Sequence, residues 1–162
     1  MYKDDLYLLC LKYCKNVEDA QDNLHDGFME IFKNIRKYAE KGSFEGWMKR
    51  IIINKAIDKY KNQREVNITI NNDLMEDSFV DTDELKLPLD ILLNLIQELP
   101  NQYRLVFNLY EMDDYSHKEI SELLSISEGT SKSNLNRAKI ALKEKIVKLS
   151  RSQIIKSSSN GN

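Results

Sequence analysis

Apolar residues recur every three or four positions along most of this chain, which is the period of an amphipathic α-helix and not of a strand. From Asp5 to Cys14 the apolar side is Leu6, Leu9, Cys10 and Tyr13. After a break at Lys15-Asn16, a second helix is predicted from Val17 to Tyr38, with Ala20, Leu24, Phe28, Ile31, Phe32 and Ile35 as its buried stripe. Tyr38 to Gly42 reads as a loop. Ser43 then caps a third helix through Asn62, with Phe44, Trp47, Met48, Ile51 and Ile52 turned inward. Helical periodicity returns at Pro88 with Ile91, Leu92, Leu95 and Ile96. It breaks at Pro100 and resumes with Leu105, Val106, Leu109 and Met112.

The pattern is most informative from Ser116 to Leu149. Ser116 followed by Glu119 forms a capping box, which satisfies free N–H groups at a helix start. Ile120, Leu123 and Leu124 give the short helix one apolar face, and Ser125-Ile126-Ser127 interrupts the period. Ser127 caps a second, longer helix with Glu128 in its first turn, where the helix dipole favours an acid. Its stripe is Leu135, Ala138, Leu142, Ile146 and Leu149, and its other face carries Lys132, Ser133, Asn136, Arg137, Lys139 and Lys143. Two helices across a tight turn, the second with a basic and amide-rich face, make a helix-turn-helix. A major groove accepts one helix, its base edges take polar side chains, and the phosphates take cations. The plain alternative for such a face is solvation alone.

Charge is segregated. The net charge over 162 residues is −2, so a nucleic-acid surface has to arise locally. Between Ile126 and Lys156 there are eight basic residues against Glu128 and Glu144, and from Lys49 to Arg64 six against Asp58. The second helix begins acidic, with Glu18, Asp19, Asp22 and Asp26, which suits either its dipole or a basic partner. Glu65 to Asp90 holds eight acids against Lys86 and lacks sustained periodicity, so it is expected to be a flexible linker. Asn67 to Asn72 alternates briefly in a strand-like way. The expectation is therefore an all-α chain. Residues 1–64 form one small helical domain, 65–87 an acidic linker, 88–150 a second helical domain, and 151–162 a frayed, disordered tail.

Several functions are excluded on chemical grounds. No Gly-rich phosphate loop and no Ser/His/Asp order is present, so neither an enzyme, a small-molecule substrate nor a cofactor is expected. Cys10 and Cys14 share one helical face with apolar neighbours and are expected to be reduced core residues. His25 and His117 are the only histidines, so no metal site is expected. No apolar run is long enough to span a bilayer and the N-terminus lacks a signal-like apolar core; membrane insertion is not expected, and a cytoplasmic location is.

Taken together, DAQDNLHDGFMEIFKNI (Asp19–Ile35), GSFEGWMKRIIINKAID (Gly42–Asp58) and LPNQYRLVFNLYEMDDYSHKEISELLSISEGTSKSNLNRAKIAL (Leu99–Leu142) resemble the extracytoplasmic-function group of bacterial sigma-70 factors. The first segment is similar to the region that clamps core RNA polymerase, and the resemblance implies contacts by Asp19, Asp22, His25, Asp26 and Phe28. The second is similar to the region that melts and reads the −10 element, implying Tyr38, Phe44, Trp47, Arg50, Asn54 and Asp58. The third is similar to the region that reads the −35 element, implying Lys132, Ser133, Asn136, Arg137, Lys139 and Lys143. The implied partners are core RNA polymerase, promoter DNA and an anti-sigma factor.

Family members usually carry Gln-Glu where this chain has His25-Asp26. They often carry a branched apolar residue and an Arg at the positions of Ser131 and Asn134, which implies an unusual −35 sequence. They also have more first-helix residues before the position of Tyr2, so a short first helix is expected. The charge layout fits the resemblance: an acidic second helix for a basic polymerase surface, basic third and last helices for DNA, and a linker that couples two readers. Two other functions use the same features. A helix-turn-helix regulator would read a palindrome without polymerase, and a shortened sigma could act as an interaction decoy.

Overall fold

In a computed structural model the chain is described over residues 2–66 and 87–159. The expected acidic linker and its strand-like stretch therefore lie almost entirely outside the described residues. Seven α-helices are seen there: α1 (Tyr2–Tyr13), α2 (Val17–Asn34), α3 (Phe44–Val66), α4 (Leu89–Gln97), α5 (Asn101–Phe107), α6 (His117–Leu124) and α7 (Glu128–Ser159). A 3-10 turn, Ile35–Lys37, follows α2, and a π-helical turn, Asn108–Met112, follows α5. The all-α expectation holds among the described residues. Helix α2 stops four residues short of the predicted Tyr38, its end tightening where the Asn34 amide bonds back to the Glu30 carbonyl and carboxylate. At the other end of the chain, α7 runs to Ser159, into the segment 151–162 expected to fray. That segment holds no Gly or Pro before Gly161, so nothing in it breaks the helix.

Helices α1, α2 and α3 pack on one another as an N-terminal module. Asn16 caps α2 by accepting from the Asp19 N–H at 2.7 Å. The inward line of α2 is Ala20, Asn23, Gly27 and Ile31. Phe32 and Ile35, expected in the core, are 68% and 47% exposed. The reason is geometric: Phe32 lies about 100° around the helix from Ile31, and three of the four inward positions hold small or polar residues, with Gly27 letting α3 come close. A Cβ on Gly27 would stand 2.2 Å from Ile52 Cδ1. The four expected core residues of α1 are all buried. Burial pushes the Cys10 thiol up to about 11 and Cys14 to about 12, so both stay protonated at neutral pH as core groups.

In the C-terminal module α4 and α5 lie against α7, and Leu95, Ile96, Leu99, Ala138 and Leu142 form the core. Helix α6 closes on α7 across the turn Ser125–Ser127. The capping box is present: the Ser116 hydroxyl accepts from Glu119 N–H, while the Glu119 carboxylate accepts from Ser116 N–H at 2.8 Å. Ser125 takes a left-handed conformation at φ 54°, reversing the chain between the two helices. The N-terminal and C-terminal modules also touch, α1 against α4 and α5, and α3 against α6.

Candidate nucleic-acid interface

The start of α7 presents one set of candidate residues. Ser127 accepts from Thr130 N–H at 3.0 Å and begins the helix. Lys132 and Ser133 are exposed in its first turns, Asn136 and Arg137 are half-buried one turn on, and Lys139 and Lys143 follow. All six therefore share the outward side of one helix, opposite Leu135, Ala138 and Leu142. Lys139 is engaged by Glu111 of the π-helical turn at 2.6 Å.

Ser131 and Asn134 are placed elsewhere than expected. They are 0% and 3% exposed, on the inward side of α7. Ser131 Oγ lies 2.8 Å from His117 Nδ1, and the His117 ring stacks on Tyr110 with centroids 4.4 Å apart. These two positions cannot touch a base edge. Ser131 ties α7 to α6 through His117, and Asn134 is buried one turn further along the same helix. Burial, then the nearby Lys132 charge, holds the His117 pKa below its ordinary value.

The second candidate set surrounds the loop before α3. Glu40 and Gly42 take positive φ values of 54° and 96°, giving the chain a sharp bend, and the Tyr38 hydroxyl donates to the Gly42 carbonyl at 2.7 Å. Tyr38, Phe44 and Trp47 pack as a cluster with centroids 5.2 to 5.6 Å apart, and Tyr2 of α1 meets Phe44 edge-on. Ser43 caps α3 through the Gly46 N–H. Arg50, Asn54 and Asp58 are exposed along α3 at four-residue intervals, so the three line up on one side. The aromatic cluster braces the loop beside that line.

The third set is on α2. Asp22, His25 and Asp26 are exposed and Phe28 is half-buried. Asp26 pairs with Lys59 of α3 at 3.3 Å. Asp19 belongs to the helix start, with its N–H on Asn16 and its carboxylate 3.7 Å from Lys15. Beside the acids, Met29, Phe32 and Ile35 form an apolar strip, 49%, 68% and 47% exposed, with Phe32 stacked on Phe28. Helical periodicity assigned Phe32 and Ile35 to the core and passed over Met29. The signal that finds the strip is that α2 has more large apolar residues than one face can hold.

Residues 1–66 match the family model described as Sigma-70 region 2, and residues 89–142 match Sigma-70, region 4. The ECF RNA polymerase sigma factor SigW of Bacillus subtilis is 30% identical over 90% of this chain and 85% of the relative. SigM of the same organism is 31% identical, covering 88% and 89%. Among solved structures, the sigma factor RpoE of Bartonella quintana, in complex with the anti-sigma factor NepR, aligns with a TM-score of 0.56 and 16% identity over 88% of this chain and 89% of that one, and so shares the fold. Two sigma-type modules in the family's order, with relatives spanning nearly the whole chain, show that it belongs to the extracytoplasmic-function RNA polymerase sigma factors of the sigma-70 family.

Proposed function

We propose that this sigma factor docks on core RNA polymerase through the outer face of α2, melts and reads the −10 element with α3 and its preceding loop, and reads the −35 element with α7. The observation that carries the docking assignment is the strip Met29, Phe32 and Ile35 beside Asp22, His25 and Asp26. An apolar strip that large, edged by carboxylates, is costly in water and suits a partner with basic and apolar groups. Phe28 supports the strip from below by stacking on Phe32. Asp19 contributes through the helix start.

On α3, Arg50 and Asn54 face the displaced strand, and Asp58 extends their line. Tyr38, Phe44 and Trp47 hold the loop as a wall against which an unstacked base can rest. On α7, Lys132, Ser133, Asn136 and Arg137 read base edges, and Lys139 and Lys143 meet phosphates. Catalysis stays with the polymerase; this chain supplies binding energy alone, and works in the cytoplasm, where polymerase and DNA are. No helix of the described residues is long and apolar enough to cross a membrane. An anti-sigma factor is the expected regulatory partner, as for the Bartonella quintana relative of the same fold. The docking assignment is tested by co-elution with core polymerase: Phe32→Ala with Asp22→Lys and Asp26→Lys should abolish it while helical content is unchanged. Undiminished co-elution would move the contact to another surface.

A further inference from the structure

Arg104 of α5 is 4% exposed, and among the described residues no carboxylate is paired with it. Its Nε donates to the Tyr13 carbonyl at 3.0 Å, and its Nη1 to the carbonyls of Gln97 at 3.1 Å and Leu99 at 2.9 Å. Its Nη2 donates to the side-chain oxygen of Asn101. A guanidinium has five N–H donors, so these bonds leave one on Nη2 unused. Every acceptor is neutral. Carbonyls bring partial charge only, and a buried cation without a counter-ion is costly in solvation. Asn101, with its oxygen committed to Arg104, keeps both amide N–H groups for another partner.

Both residues line a partly open cavity of about 40 Å³. Lys15 before α2, Asp19 in its first turn, and Lys59 and Gln63 one turn apart on α3 complete its polar wall. The space holds about three water molecules, which is the scale of one small oxyanion and far below that of a drug-sized ligand. Lys15, Lys59 and Arg104 stand there against Asp19 alone, so a dianion balances the wall. Lys15 is 3.7 Å from Asp19, and Lys59 is 3.3 Å from Asp26. Those pairs are partly exposed, hence weak, and either ammonium can be shared with a further anion.

We propose that this cavity binds a doubly charged phosphoryl group, either free phosphate or the end of a small phosphorylated molecule. Arg104 Nη2 and Asn101 Nδ2 are the fixed donors, and the ammonium groups of Lys15 and Lys59 turn onto the remaining oxygens. The buried guanidinium gives the ion a partner that water screens little. The open side of the cavity leaves room for whatever the phosphoryl group carries.

The test is thermal unfolding of the full chain at about pH 8, where a phosphoryl group is a dianion, with phosphate exchanged for chloride at constant ionic strength. About 10 mM phosphate should raise the midpoint by about 3–6 °C, as for a dissociation constant of about 1 mM. Lys15→Gln with Lys59→Gln should weaken binding about tenfold and cut that rise to about 1 °C. Asn101→Ala should weaken binding about threefold and leave roughly half of it. Lys143→Gln, on α7, should leave the rise intact. Equal midpoints in phosphate and chloride overturn the proposal. A rise that survives the cavity variants and disappears with Lys143→Gln places the anion on α7 and overturns it too. Should the double variant lose helicity, Asn101→Ala decides alone, and an undiminished rise with it refutes the site. Glycerol phosphate separates the two sources. A larger rise than with phosphate assigns the site to a phosphorylated molecule, and an equal or smaller one to the free ion.

Discussion

The side-chain amide of Asn23 on α2 donates to the Ile52 carbonyl of α3 at 3.2 Å, and one turn along, Gly27 leaves room for the Ile52 side chain. The two contacts hold α2 and α3 at close range, and Glu30–Lys55 at 3.2 Å and Asp26–Lys59 at 3.3 Å tie the outer edge. The outer face of α2 and the exposed side of α3 are thereby fixed to each other. Gly27→Ala places a methyl where Ile52 Cδ1 now lies, and Ile52 is fully buried. The end of that side chain can turn, but only into packed surroundings, so the loss of unfolding free energy should be about 1–3 kcal/mol by urea titration. A neutral result would show that the helices can part freely here.

The turn of the helix-turn-helix should be open to improvement. Ser125 has φ 54°, a conformation that a Cβ makes unfavourable and glycine does not. Ser125→Gly should stabilise the C-terminal module by about 0.5–1 kcal/mol, seen as a raised thermal midpoint. A lowered midpoint would mean that the serine side chain has a structural role in the turn.

His117 should make the same module sensitive to acid. Its folded pKa lies below the ordinary value because burial and Lys132 both oppose its charge. The unfolded chain therefore binds the proton first, so stability is complete above about pH 6.5 and declines as pH falls below it toward the folded pKa. Thermal midpoints of wild type and His117→Gln between pH 7.5 and about 5 check this, with the wild type falling more steeply. Parallel profiles would contradict it.

Base contacts and phosphate contacts on α7 should separate. Arg137→Ala or Asn136→Ala should relax the preference at one −35 position, with a discrimination loss of about 1–3 kcal/mol. Lys143→Ala should weaken all sites alike and reduce the salt slope by about one ion. Lys139, which is shared with Glu111, should fall between the two. Binding of holoenzyme to a randomised −35 library reads all four. Equal losses across the library for every variant would reduce α7 to an electrostatic anchor.

Local features of this fold were legible because they are written in adjacent residues. The capping box at Ser116 and Glu119, the Ser43 and Ser127 caps, and the inward sides of α1 and α7 all follow from short spacing rules. The family resemblance rested on such segments as well. What periodicity misread on α2 has one cause. The buried line of α2 is Ala20, Asn23, Gly27 and Ile31, where two of the four are not apolar, so an apolar-stripe rule rotated the helix and drew Phe32 inward. Ser131 and Asn134 were missed as interior for the same reason. The bonds of Gln97, Arg104 and Asn108 to the end of α1 join residues 86 to 96 apart, and no local pattern announces them.

Transcription in vitro reads the proposed promoter-directing activity as a whole. Core RNA polymerase, this chain and a library of linear promoter templates should yield run-off transcripts from one promoter class, defined by a −10 and a −35 element at fixed spacing. Without the chain those transcripts should be absent. Sequence-specific DNA binding by the chain alone, with no transcripts in the presence of polymerase, would contradict the account and favour a helix-turn-helix regulator; neither binding nor transcripts would leave an interaction decoy.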